Sequence, residues 1–319
     1  MSSVHTATAS TLVPLRRPPR LRAGDTVVVV SPSGPVPEDR LRLGVARLES
    51  WGLKVRLGEH VLDRGPFDYL AGADEHRCGD LYAALTDGQV AGVVCARGGY
   101  GADRIVDTLD WASLTTVAPK VFVGYSDITV LHEAMAQRLG WVSVHGPMVG
   151  TEVMIDHDDT GGEHLRRTLL EPESAMVLRG PGARALVPGR AQGVTVGGCA
   201  SLLAGAVGTA TWRRSTPGGI VLLEDVGEDL YRVDGILTRL RRSGFFDGVT
   251  GVVLGSWKDC APVEQIERLV LDRLGDLGVP ILSELGFGHG EHPLTVPLGV
   301  AVELDADAGT LTLLEPALT

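Results

Sequence analysis

The chain has 319 residues, 44% of them apolar and 22% charged, and a formal net charge of −11. This composition belongs to an ordinary globular protein and excludes disorder as the chain's default state. The acidic balance works against nucleic-acid and anionic-membrane partners, which are held by clustered Lys and Arg.

At about 150 residues per domain, the length suggests two domains. The four cysteines, Cys78, Cys95, Cys199 and Cys260, are scattered without a CxxC pair or zinc-site spacing. Neither a disulfide framework nor a structural metal is encoded, which fits a reducing compartment. Met1 to Thr11 lacks the apolar stretch of a signal peptide, so a cytoplasmic location is expected. Gly193 to Trp212 is uncharged and approaches membrane-spanning length, but Gly, Ser, Thr and Ala dilute it. A buried strand and helix are expected there instead.

In chain order, residues 1–20 form a flexible lead-in, with Arg16 to Arg22 as a solvated basic tail. Thr26 to Val30 is a β-branched strand stopped by the turn Ser31-Pro-Ser-Gly-Pro35. A helix with Leu41, Val45 and Leu48 on one face follows, then a strand at Leu53 to Leu57 and a helix at Glu75 to Leu85. Val90 to Cys95 is an apolar strand running into Arg97-Gly-Gly-Tyr-Gly101, with a helix from Asp103. Val121 to Val123 is a fourth strand and Asp127 to Leu139 a fourth helix. Strands alternating with helices predict a parallel sheet covered on both faces, with ligands beyond the strands' carboxyl ends.

Residues 151–190, acidic and rich in Gly and Pro, read as a linker or lid that includes His157-Asp-Asp-Thr-Gly-Gly162. Gly219 to Leu223 and Gly251 to Leu254 then read as strands, with helices at Leu230 to Arg242 and Val263 to Leu274. The chain closes with a β-hairpin around Asp305-Ala-Asp-Ala-Gly309.

Four segments carry candidate chemistry. Val121-Phe-Val-Gly-Tyr-Ser126-Asp runs from strand through Gly-x-Ser into helix, the setting of a nucleophile elbow. Helix N–H groups beyond Ser126 can stabilise an oxyanion there; the competing reading is that Ser126 or Asp127 caps the helix. The turn Arg97 to Gly101 can aim further backbone N–H groups at a ligand, or serve as a structural turn. A dinucleotide loop is disfavoured because the third glycine is missing. His289, in the glycine-rich loop Gly286-Phe-Gly-His-Gly-Glu-His-Pro293, is the leading base, with His145 a second candidate that reads as a pocket wall. A metal pair with His292 lacks a third ligand in recognisable spacing. Glu224, closing a strand at a cleft edge, is the candidate carboxylate, but spacing does not separate it from Asp225.

Taken in order, Ser31-Pro-Ser-Gly34, Arg97-Gly-Gly-Tyr-Gly101, Gly124-Tyr-Ser-Asp127, His145-Gly-Pro147, Gly197-Gly198 with Ser201-Leu-Leu203, Leu223-Glu-Asp225, Gly288-His289 and Val296-Pro-Leu-Gly299 resemble the LD-carboxypeptidase family. That family includes muramoyltetrapeptide carboxypeptidase and the microcin-immunity hydrolases. The match spans nearly all of residues 21–316 and departs at Cys199, where the family usually has asparagine.

The resemblance implies a flavodoxin-like, parallel-sheet N-terminal domain over 21–150 carrying the nucleophile. A smaller α/β C-terminal domain over 191–319 carries the glutamate and histidine, so that domain placement gates activity. It further implies a catalytic Ser126, Glu224 and His289, with an oxyanion hole from the N–H groups of Gly99 and Asp127. The activity implied is a metal-free and cofactor-free serine carboxypeptidase releasing terminal D-alanine from a muropeptide tetrapeptide, with Arg232 as a candidate for the substrate carboxylate. The expected partners are a small peptide and a second copy in a homodimer, with no nucleic acid and no membrane. Two rivals remain: a microcin-immunity-type hydrolase of aminoacyl or peptidyl nucleotides, with Trp257 as a base platform, and a binding module without turnover.

Overall fold

The computed structural model describes residues 10–156 and 160–319. Its first half runs β1 (Thr26–Val30), α1 (Glu38–Ser50), β2 (Lys54–Leu57), α2 (Asp74–Thr86), β3 (Val90–Cys95), α3 (Ala102–Ile105), α4 (Trp111–Leu114), β4 (Val121–Gly124), α5 (Thr129–Arg138) and β5 (Ser143–His145). The strands lie in the order β2-β1-β3-β4-β5, all parallel, which is the flavodoxin-like order. Val27, Val29, Val30, Val93, Val94 and Val123 are fully buried, as runs of apolar residues must be when helices cover both faces of a sheet. All five strands end at one edge, and that edge receives the turns after β1, β3 and β4.

The second half runs α6 (Glu152–Ile155), α7 (Thr160–Leu170), β6 (Val177–Leu178), β7 (Arg184–Val187), β8 (Arg190–Cys199), α8 (Ala200–Gly205), β9 (Gly219–Val226), α9 (Leu230–Arg242), β10 (Gly251–Lys258), α10 (Val263–Leu274), β11 (Ile281–Ser283), β12 (Val296–Leu298), β13 (Ala301–Asp305) and β14 (Thr310–Leu313). Eight of these strands form a second sheet, β6-β14-β13-β8-β9-β10-β11-β7, with a parallel centre from β8 to β11 and antiparallel flanks. The closing hairpin is β13 and β14. Gly193 to Trp212 folds as the end of β8 and α8, and among the described residues no helix is long and apolar enough to cross a membrane.

Several sequence expectations need correction. Residues 10–20 are not loose: the Leu12 N–H donates to Pro217, Leu15 to Gly299 and Arg16 to Gly140, while Arg17 pairs with Glu315 and Arg20 with Glu173. The basic side chains are thus spent on carboxylates and carbonyls of both halves rather than on solvent; residues 1–9 lie outside the described residues. Residues 151–190 are not a linker or lid. They carry α6, α7 and both edge strands of the second sheet, although residues 157–159, part of the His157 to Gly162 stretch, lie outside the described residues.

The C-terminal segment does not stay with its own sheet either. Strand β12 crosses over and pairs antiparallel with β5, so that Val296 lies opposite His145 and Leu298 opposite Ser143. One buried apolar cluster runs through both sheets, joining Val27, Val121 and Val144 of the first to Leu222, Val253 and Leu304 of the second. An interface built as a continuous core does not hinge easily, which argues against activity being gated by domain placement.

Removing residues 1–20 should lower the midpoint of thermal unfolding by several degrees, since hydrogen bonds of about 1 kcal/mol each are lost. An unchanged midpoint would return the segment to a dispensable tail.

Candidate active site

Strand β4 ends at Gly124, Tyr125 is extended, and Ser126 turns back with φ 63°, one of three non-glycine residues with positive φ among those described. Side chains avoid that region at a cost of order 1 kcal/mol or more, and such strain gathers at functional sites. The turn is tight because Gly124 has no side chain: a Cβ there would lie 2.8 Å from Ile128, the larger residue that replaces the second small residue of an ordinary elbow. A 3-10 turn over Ser126–Ile128 then leads into α5, and no side chain caps either element. The capping alternative for Ser126 and Asp127 therefore has no support here. The Ser126 hydroxyl makes none of the hydrogen bonds found among the described residues.

Asp127 caps a different helix. Its buried carboxylate accepts from the Ala102 N–H at 2.8 Å, tying the elbow to the Gly-rich turn before α3; burial pushes that carboxyl up, against the pull of the same N–H. The turn is fixed from its other side by the Gly34 N–H, which donates to Gly98 O at 2.9 Å. In a trans peptide the next N–H points opposite to that carbonyl, so the Gly99 N–H faces away from Gly34. Gly98 itself lies against the serine, since a Cβ there would sit 3.0 Å from Ser126 Cβ and 3.2 Å from its Oγ.

On the second sheet, β9 does not stop at Leu223 but continues to Val226 in parallel register with β10. Glu224 is therefore not at an open cleft edge: its exposure is 0%. The period-two alternation of a strand separates the two neighbouring acids. Asp225 turns to the start of α8, accepting from the Ser201 N–H at 2.7 Å, whereas Glu224 Oε2 meets His289 Nδ1 at 2.6 Å. Burial raises the Glu224 carboxyl, but the imidazoles of His145 and His289 more than offset it and hold it at about 2. An ionised carboxylate on Nδ1 makes that nitrogen the proton-bearing one, which leaves Nε2 as an acceptor.

His289 stands on a loop fixed at both ends, by β11 in the second sheet and by β12 in the first. Its ring lies on Tyr125, the residue before Ser126, with centroids 4.8 Å apart. Gly288 is the residue that composition alone undervalues: with φ 94°, a Cβ would lie 2.4 Å from Glu224 Oε2.

Other expected positions fall elsewhere. Arg232 is on the first turn of α9, exposed, 3.9 Å from Glu228 and over the Tyr231 ring. Trp257 is buried among apolar residues and offers no open platform. Cys199 sits at the end of β8 beside Glu224, its thiol 3.4 Å from Asp225 and pushed up by burial.

The structure thus holds a strained serine at a strand-to-helix turn, a Gly-rich turn beside it, and an imidazole on a buried carboxylate. Residues 27–146 match the LD-carboxypeptidase N-terminal domain and residues 192–304 the LD-carboxypeptidase C-terminal domain, and the chain belongs to that family of serine-type carboxypeptidases. A Streptomyces coelicolor relative, named as a carboxypeptidase only provisionally, is 55% identical over 95% of this chain and 98% of its own length. The crystal structure of muramoyltetrapeptide carboxypeptidase from Oxalobacter formigenes superposes with a TM-score of 0.77 at 28% identity, over 90% of this chain and 97% of that one. MccF in complex with glutamyl sulfamoyl guanosine has a TM-score of 0.82 at 20% identity, over 95% and 99% of the two chains, which is a likeness of fold.

Gly288→Ala should cut turnover by at least about 10²-fold, because the new methyl displaces the carboxylate and misplacing a group by an ångström has that effect. Steady-state kinetics together with an unchanged far-UV circular dichroism spectrum would check it. Glu224 is held below its ordinary value, so its contribution to stability is complete above about pH 4.5 and is lost as pH falls toward 2. Denaturant titrations should therefore show stability falling more steeply over that range in the wild type than in Glu224→Gln.

Proposed function

We propose that Ser126, His289 and Glu224 act as a catalytic triad that hydrolyses the amide bond between an L-configured centre and a terminal D-alanine in a muropeptide tetrapeptide. The observation that carries this reading is the 2.6 Å pair of His289 and buried Glu224, set on the residue next to a serine in a strained elbow. His289 Nε2 takes the Ser126 proton as Oγ attacks the carbonyl carbon. The resulting oxyanion accepts from the N–H groups of Asp127 and Gly99. As the C–N bond breaks, His289 returns the proton to the departing D-alanine amine. Water then attacks the acyl-enzyme, giving its proton to His289, and the peptide leaves as Ser126 is reprotonated.

A cytoplasmic site of action, as in recycling of cell-wall peptides, fits a chain whose four cysteines are all free. The immunity-type alternative asks for an aromatic surface to take a base, and the side chain first considered for that, Trp257, is packed away.

Ser126→Ala and His289→Ala should each lower turnover by about 10⁴-fold or more, with little further loss in the double variant, because members of a triad act as a unit. D-alanine release from an LD-tetrapeptide, measured beside cleavage of an aminoacyl sulfamoyl-adenylate, decides the substrate. Failure of a fluorophosphonate probe to label Ser126 in the wild type would sink the triad.

A further inference from the structure

Glu224 has two carboxylate oxygens and no contact with solvent, yet only one of them is hydrogen-bonded among the described residues. Oε2 accepts from His289, while Oε1 has no hydrogen-bond partner among the described residues. A buried carboxylate oxygen without a donor is unfavourable, and nearby groups are selected to satisfy it. His145 Nε2 stands 3.7 Å from Oε1. That is beyond a hydrogen bond by roughly 0.8 Å, a gap that a small side-chain movement closes.

His145 is equally incomplete: it is 2% exposed, and neither ring nitrogen has a hydrogen-bond partner among the described residues. Its neighbour His132 shows the contrast. His132 Nδ1 meets Ser143 Oγ at 2.8 Å and its Nε2 meets Gly124 O at 2.9 Å, so both of its nitrogens are satisfied in one neutral tautomer. The backbone at His145 is also set, since β5 pairs at this residue with Gly124 of the nucleophile strand on one side and Val296 of β12 on the other. Tyr125 and Phe287 wall the ring at centroid distances of 5.8 Å and 5.6 Å.

We infer that His145 is a positioning residue for the triad, donating its Nε2–H to Glu224 Oε1. The inference rests on the reading of Ser126, His289 and Glu224 given above. With one imidazole on each oxygen the carboxylate plane cannot rotate, so Oε2 stays on His289 Nδ1 and that ring keeps its orientation. His145 is buried, and in this role its effect passes through Glu224.

Two replacements separate donation from packing. His145→Phe fills the space against Tyr125 and Phe287 without a donor, and His145→Gln keeps an N–H that can reach the carboxylate. The Phe variant should lose about 10- to 100-fold in kcat and in the rate of fluorophosphonate labelling, the range expected when a buried group loses its hydrogen bond, with KM within about twofold of wild type. The Gln variant should recover most of the loss. Equal rates in the Phe variant and the wild type, or a Gln variant as slow as Phe, would overturn the inference while leaving a labelled Ser126 and the triad standing. A wild type in which Ser126 is not labelled removes both. If the Phe variant does not fold, ¹⁵N-histidine spectra of the wild type, assigned against His145→Gln, still decide. The His145 ring must carry its proton on Nε2, and a ring protonated on Nδ1 alone refutes the inference.

Discussion

Keeping a carboxylate ionised without access to water costs several kcal/mol unless donors surround it, and Glu224 is such a carboxylate. Its partner His289 gains from the same arrangement, because the carboxylate fixes which nitrogen carries the proton and which way the ring faces. Much of the surrounding structure serves that contact. Strand β9 runs three residues past Leu223 and carries the Glu224 side chain inward, Gly288 leaves room for the carboxylate, and Asp225 is turned away to α8.

The serine side is built by different means. There the constraint is backbone geometry: a positive φ at Ser126, a glycine at 124 that lets Ile128 close in, and a Gly-rich turn held between Gly34 and Asp127. The second sheet touches this half at the start of α5, where the Cys199 N–H donates to Thr129 Oγ1 at 3.0 Å. The two halves meet in one apolar cluster and through β12, so their relative placement is a property of the core rather than of a flexible joint.

Much of the first half was legible because β1 is an unbroken β-branched run, β3 and β4 are apolar runs and α1 carries Leu41 and Leu48 on its buried face, whereas β5 is too short to be read and was missed. The elbow could be read for the same reason, as could the two long helices α9 and α10. Pairings that cross between halves left no local mark. Val296 to Leu298 looks like any short apolar strand, and nothing near it says that its partner is Ser143 to His145. Residues 151–190 misled because short edge strands and Gly-rich turns share a composition with linkers. Glu224 and Asp225 could not be told apart from spacing, since the distinction lies in which face of β9 each occupies. The nearness of His145 to that carboxylate is likewise a fact of three dimensions.

Strand β12 has one more consequence. A protein ending before it would expose the flank of β5, a short row of unpaired amides and carbonyls bearing Val144 and His145, ready to accept a strand from a neighbouring molecule. The half that bears the nucleophile is therefore not a self-sufficient unit, and the last quarter of the polypeptide protects it from self-association as well as lending it a histidine.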